Sequence, residues 1–145
     1  MILIAHRGNI TGPSKKENNP KHIKKALDLG FHAEIDVWKL EDGFYLGHDA
    51  PDYPVDLNFL VSQDLWCHAK NLEALELMIR CGIRCFWHEE DDYTLTSTGE
   101  IWTYPLKNVV KNSIIVCKNL EQTKTYAEKD ICGVCSDYVG EINQI

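Results

Sequence analysis

The stretch Phe31–Asp49, FHAEIDVWKLEDGFYLGHD, decides the fold. Ala33–Trp38 alternates apolar Ala33, Ile35 and Val37 with acidic Glu34 and Asp36, the period of a β-strand. Asp42-Gly43 is a turn signal, and Phe44–Gly47 reads as a second strand that runs into His48 and Asp49. Glu34 and Asp36 are two residues apart, so they point to one face of their strand.

Outward from this stretch, the chain alternates short apolar runs with amphipathic ones, the pattern of an α/β protein. Upstream, Met1–Ala5 reads as a buried strand. Residues 20–29 read as a helix, with Pro20 in its first turn, Ile23, Ala26 and Leu27 on one face, and Gly30 as its stop. Downstream, Leu65–Ala69 is a strand and Leu72–Cys81 a helix that ends at Gly82. Arg84–Trp87 follows as a strand. Tyr93–Thr96 and Ile101–Tyr104, joined by Ser97-Thr98-Gly99, form a hairpin. Ser113–Cys117 is a strand, Glu121–Glu128 a helix and Cys132–Ser136 the last strand.

The pattern contains roughly six or seven core strands but only about three or four helices, whereas a complete eight-fold β/α barrel takes ~250 residues. The expectation is therefore one domain, residues 1–145, folded as a shortened, irregular TIM-type β/α barrel with several helices missing. An open parallel sheet is the alternative. A barrel missing helices exposes apolar strand surface, so a homodimer that covers it is a further expectation.

Composition narrows the function. The 145 residues are 44% hydrophobic and 26% charged, ordinary for a soluble globular domain. The formal net charge of −7 argues against a general nucleic-acid binder, which needs a basic face, but not against a small anionic substrate. No secretory signal or membrane-spanning stretch is visible, so a cytoplasmic location with reduced cysteines is expected. Most of the six cysteines sit in apolar runs, as small core residues do. Cys132 and Cys135 have CxxC spacing, and Cys81 and Cys85 would complete a four-thiolate site. The second pair lacks zinc-knuckle spacing, so a core role is the better reading.

The chemistry clusters where apolar strand runs stop. MILIA ends in His6-Arg7, HAEID carries Glu34 and Asp36, and FYLG ends in His48-Asp49. LWC runs into His68 and Lys70, RCFW into His88-Glu89-Glu90, SIIVC into Lys118 and GVCS into Asp137. In barrels and open α/β sheets the C-terminal strand ends form the active-site face. Two carboxylates on one face suit a divalent cation such as Mg²⁺ or Ca²⁺, with Mn²⁺ also admitted. His6 and His48 suit acid–base work on a phosphodiester, with Asp49 placed to orient His48. Arg7 offers a bidentate, permanently charged partner for phosphate, and Gly8 lets the backbone approach. His22 and His32 read as structural or exposed, the acidic run 88–92 as solvated, and Trp102 and Tyr104 as core more than pocket wall. Lysines 15, 16, 21, 24 and 25 read as a solvated helix face.

His6-Arg7-Gly8, Glu17-Asn18, Glu34-Ile35-Asp36 and Gly47-His48-Asp49, in this order, resemble the glycerophosphodiester phosphodiesterase family. Ser136-Asp137-Tyr138 resembles that family's last strand. The resemblance implies a triosephosphate-isomerase-type barrel, one divalent cation and cleavage of a small glycerophosphodiester. It also implies Glu34 and Asp36 as metal ligands, His6 and His48 as the acid–base pair, Arg7 on the phosphate and Glu17 in support. The family's Glu-x-Lys motif is here His68-Ala69-Lys70, which makes His68 a candidate ligand and Lys70 a substrate contact. A nitrogen ligand suits Mn²⁺ or Zn²⁺ better than Mg²⁺ or Ca²⁺. A lyase that releases a cyclic phosphate, and a non-catalytic phosphate-binding module, remain open alternatives.

Overall fold

The computed structural model describes residues 1–142. In chain order its elements are β1 (Ile2–His6), α1 (Pro20–Asp28), β2 (His32–Leu40), β3 (Gly43–Leu46) and β4 (Tyr53–Val55). They continue with α2 (Leu57–Leu60), β5 (Leu65–Ala69), α3 (Leu72–Arg80), β6 (Cys85–Phe86) and β7 (Tyr93–Leu95). The last are β8 (Ile101–Thr103), β9 (Ser113–Cys117), α4 (Leu120–Ala127), β10 (Gly133–Ser136) and a 3₁₀ turn, Val139–Glu141.

The parallel strands lie in the order β6-β5-β2-β1-β10-β9-β8, so the first strand sits between the second and the last. That order curls the sheet into a half-barrel. β3 and β4 extend β2 as an antiparallel meander, and β7 pairs antiparallel with β8. Between β6 and the β7–β8 hairpin, Ser97 N–H donates to the Cys85 carbonyl at 2.8 Å and Ser97 Oγ accepts from Cys85 N–H at 2.9 Å. The fold is mixed α/β, with four α-helices among the described residues.

Strand alternation sorts the core into two layers. Leu3, Ala5, Ala33, Ile35, Val37, Cys67 and Val134 face outward, into a cluster that includes Ile23 and Ala26 of α1 and Ala74 and Met78 of α3. Ile4, Trp66, Phe86, Trp102, Ile114 and Cys135 face inward and fill part of the concave side. Each of the three longer helices starts on an asparagine. Asn19 accepts from Lys21 N–H, Asn71 from Ala74 N–H and Asn119 from Gln122 N–H. Such caps are worth about 1 kcal/mol each, and they fix where the chain leaves the sheet.

The expected elements appear with ends that match or shift by one or two residues, the β2 strand running on to Leu40. β4 and α2 were not legible: Pro54 reads against a strand, and α2 is a single turn without period. The four-thiolate site does not form. Cys85 packs in the outer cluster, Cys135 in the inner one, and Cys81 is exposed. No helix among the described residues is long and apolar enough to cross a membrane.

Candidate metal centre and active site

β2 presents Glu34 and Asp36 to the concave side although both are almost fully buried, at 3% and 1% exposure. The β5 register sets His68 directly beside Asp36. Ligand atoms of Glu34, Asp36 and His68 all lie within 4.8 Å of one another. His68 Nδ1 is 3.2 Å from Asp36 Oδ1 and 3.9 Å from Glu34 Oε1.

The hydrogen bonds determine what that juxtaposition means. His68 Nε2 lies 2.9 Å from the His88 carbonyl, which can only accept, so Nε2 carries a proton. In neutral His68 the Nδ1 lone pair then faces Asp36 Oδ1. That oxygen is buried and has no hydrogen-bond donor. Two facing lone pairs in a buried site require a positive charge between them, either a proton on His68 or a cation. The pKa shifts express the same demand. Burial and the neighbouring Asp36 charge push the Glu34 carboxyl up. Burial also works to raise Asp36, but contacts with His48, His68 and Arg7 prevail and hold it below the ordinary carboxylate range. Burial lowers His68, and the Asp36 contact and Glu34 charge outweigh it, leaving its pKa raised. The residues fit a small divalent cation bound through two carboxylates and one imidazole, whose ring is held by an outer carbonyl.

His6 ends β1. Its Nδ1 is 3.0 Å from Asp137 Oδ1, and its Nε2 is 3.9 Å from Glu34 Oε2. A carboxylate accepts, so Nδ1 donates and Nε2 is the ring position open to the cavity side of Glu34. Burial lowers the His6 pKa, but the Asp137 hydrogen bond and the Glu34 charge outweigh it and raise it. Asn9, itself buried, donates to the same Asp137 oxygen at 2.9 Å.

Arg7 sits at φ 53°, the left-handed region, and its side chain crosses the site. Nε lies 3.2 Å from Asp36 Oδ2, one terminal nitrogen donates to Glu17 Oε1 at 3.2 Å, and the other donates to His48 Nδ1 at 2.8 Å. A guanidinium cannot accept, so His48 Nδ1 accepts and Nε2–H is the proton-bearing position. Gly47 makes this placement feasible: a Cβ there would lie 1.8 Å from the Ala50 carbonyl oxygen, in a backbone of φ 157°.

Eight of the nine expected site residues thus converge. His6, Arg7, Glu34, Asp36, His48, His68 and Lys70 line one cavity of about 680 Å³, and Glu17 braces Arg7. Asp49 does not join them. Its carboxylate is 96% exposed and 3.7 Å from His48 Nε2, while Arg7 holds the other ring nitrogen. Asn18 and Asp137 occur in the sequence motifs but were given no role in the site. Asn18 donates to Asp36 Oδ2 at 2.9 Å and accepts from Asp36 N–H at 3.0 Å, at φ 64°. The signal for Asp137 was its place just past a strand end. Trp102 and Tyr104 do line the cavity, and His88 supplies the carbonyl that sets His68.

No known family model, no curated protein and no solved structure matches this chain.

Proposed function

We propose that this chain is a metal-dependent phosphodiesterase on a shortened TIM-type barrel, acting on a glycerophosphodiester or a similar small diester. The observation that carries the reading is the buried Asp36 Oδ1 without a donor, set against the Nδ1 of a histidine whose other nitrogen is committed to a carbonyl. A divalent cation on Glu34, Asp36 and His68 would supply charge neutralisation at a phosphoryl oxygen. The nitrogen in the set favours Mn²⁺ or Zn²⁺ over Mg²⁺ or Ca²⁺.

The chain's own residues provide the rest. Arg7 and Lys70 bind the non-bridging phosphoryl oxygens, and Glu17 keeps Arg7 extended across the site. Water forms the new O–P bond as the P–O bond to the alcohol breaks. One histidine of the pair takes the proton from water and the other delivers one to the departing alcohol. His6 works through Nε2, because Asp137 holds its Nδ1. When Arg7 turns to the phosphate, His48 Nδ1 is left facing Asp36 Oδ2 at 3.6 Å, which frees Nε2 to exchange a proton. Phosphorus NMR of the protein with glycerophosphocholine and Mn²⁺ or Mg²⁺ tests the reading. Glycerol phosphate is the expected product, a cyclic phosphate would identify a lyase, and unchanged substrate with bound metal would identify a binding module.

A further inference from the structure

We propose that the far side of the cavity is a subsite for the alcohol portion of the diester, selecting an alcohol with an apolar face and an anionic end that Lys118 binds. This rests on the phosphodiesterase reading above. Arg7, Glu34, Asp36 and Lys70 occupy one side of the cavity, where β1, β2 and β5 end, and Glu89 and Lys118 edge the other. The other side, from β6, β8 and β9, is formed by Phe86, Trp102, Tyr104, Pro105 and Val116. A stack begins at the metal centre and runs outward. The His68 ring lies on Phe86 with centroids 5.1 Å apart, and Phe86 on Trp102 at 4.3 Å. Phe86 and Trp102 back this wall, and its accessible part, Val116 and the edge of Tyr104, offers an apolar surface next to where the scissile bond would sit.

Lys118 follows β9 and closes the wall. Its Nζ lies 5.2 Å from the Tyr104 ring centroid and donates to Tyr104 Oη at 3.5 Å, which pins the ammonium at the cavity edge. Among the described residues it forms no ion pair, whereas Arg7 is paired with Glu17 and Asp36. Glu34 and Asp36 face the metal centre and Asp137 faces His6. Glu89 is the remaining acidic residue that lines the cavity. A quaternary ammonium headgroup needs an open aromatic face. Here Lys118 covers Tyr104, and Phe86 and Trp102 are stacked face to face and buried.

The test compares glycerol phosphodiesters of 4-methylphenol and of 4-hydroxyphenylacetate, which differ at the far end of the ring, with glycerophosphocholine as the cationic arm. The carboxylate ester should show kcat/KM about tenfold above the methyl ester, as one charge-assisted contact provides. Lys118→Gln should bring the ratio of the two kcat/KM values to about one, and Glu89→Gln should enlarge it. Equal rates on both aryl esters, or a preference that survives Lys118→Gln, overturns the subsite. Turnover of the methyl ester alone leaves the phosphodiesterase reading standing. Calorimetry with free 4-hydroxyphenylacetate decides the matter even without turnover. Binding that Lys118→Gln abolishes supports the subsite, and no binding to the native protein overturns it.

Discussion

The two sides of the cavity are built from the same kind of strand end yet follow opposite rules. On β1, β2 and β5 the inward positions hold buried Glu34 and Asp36 and partly buried His6 and His68, polar groups that satisfy one another only in part. On β6 and β8 the inward positions hold Phe86 and Trp102, which satisfy ordinary packing by stacking on each other. The polar side is expensive to bury without a cation, and that cost is the ground for the proposed metal-dependent chemistry. The aromatic side packs the inner face of the curl and forms the wall opposite the candidate metal centre.

That contrast breaks most visibly under truncation. His6→Ala should lower kcat by about 10²–10⁴ with a modest fall in melting temperature, since it removes a proton carrier whose main stabilising contact is Asp137. Trp102→Ala should do the reverse to the fold, costing about 3–5 kcal/mol because the side chain is buried in the inner cluster. Denaturant melts and phosphorus NMR on both variants check the pair. If His6→Ala melts earlier while Trp102→Ala does not, the division between the two sides is wrong.

Next in size is the proposed metal centre. His68→Glu replaces the imidazole with oxygen, which should strengthen Mg²⁺ binding and narrow the preference for Mn²⁺. Asp36→Ala should remove the metal-induced rise in melting temperature altogether. Calorimetry with each cation reads both. Unaltered affinities in His68→Glu would place that residue outside the metal's ligands.

The polar side was largely legible because its information is local. Carboxylates at spacing two on a strand, and histidines where apolar runs end, can be read without tertiary structure. Its outer support was not legible, because it depends on contacts across the chain. Asp137 reaches His6 from 131 residues away, and Asn18 matters only because a left-handed turn brings it back to Asp36. The aromatic side was misweighted for a related reason. Trp102 is a core residue and a cavity wall at once, and sequence cannot show which edge of a buried ring meets a cavity. Asp49 fails in the opposite sense. Adjacency to His48 suggested support, but the turn at Gly47 sends its carboxylate to solvent.

A smaller effect follows from the His6–Asp137 pair, and its sign is determined by the two shifts. Asp137 is lowered from 3.8: burial raises it, but the His6 contact prevails. It therefore contributes stability above its unfolded value, lost as pH falls through its folded one. His6 is raised from 6.5, so its share is complete below 6.5 and lost as pH rises through the folded value. The pair's contribution, about 1–2 kcal/mol for a partly buried charge-assisted contact, should thus be largest between about pH 4 and 6.5. Urea unfolding of native protein and Asp137→Asn across pH 3–9 reads it. The two curves should separate in that window and converge on either side, and parallel curves would rule the linkage out.

The smallest expected effect is the one that separates neighbours in sequence from neighbours in space. Asp49 follows His48 directly, but its carboxylate is almost wholly exposed and 3.7 Å from the ring, beyond hydrogen-bond reach. Exposed pairs of this kind are worth about 0–1 kcal/mol. The ring nitrogen that matters for orientation is held instead by Arg7, which Glu17 braces. Asp49→Ala should therefore change kcat/KM less than about threefold, whereas Glu17→Ala, which unties Arg7, should raise KM with a smaller change in kcat. A rate loss in Asp49→Ala as large as that in His48→Ala would show that the loop after β3 closes over the site when substrate binds.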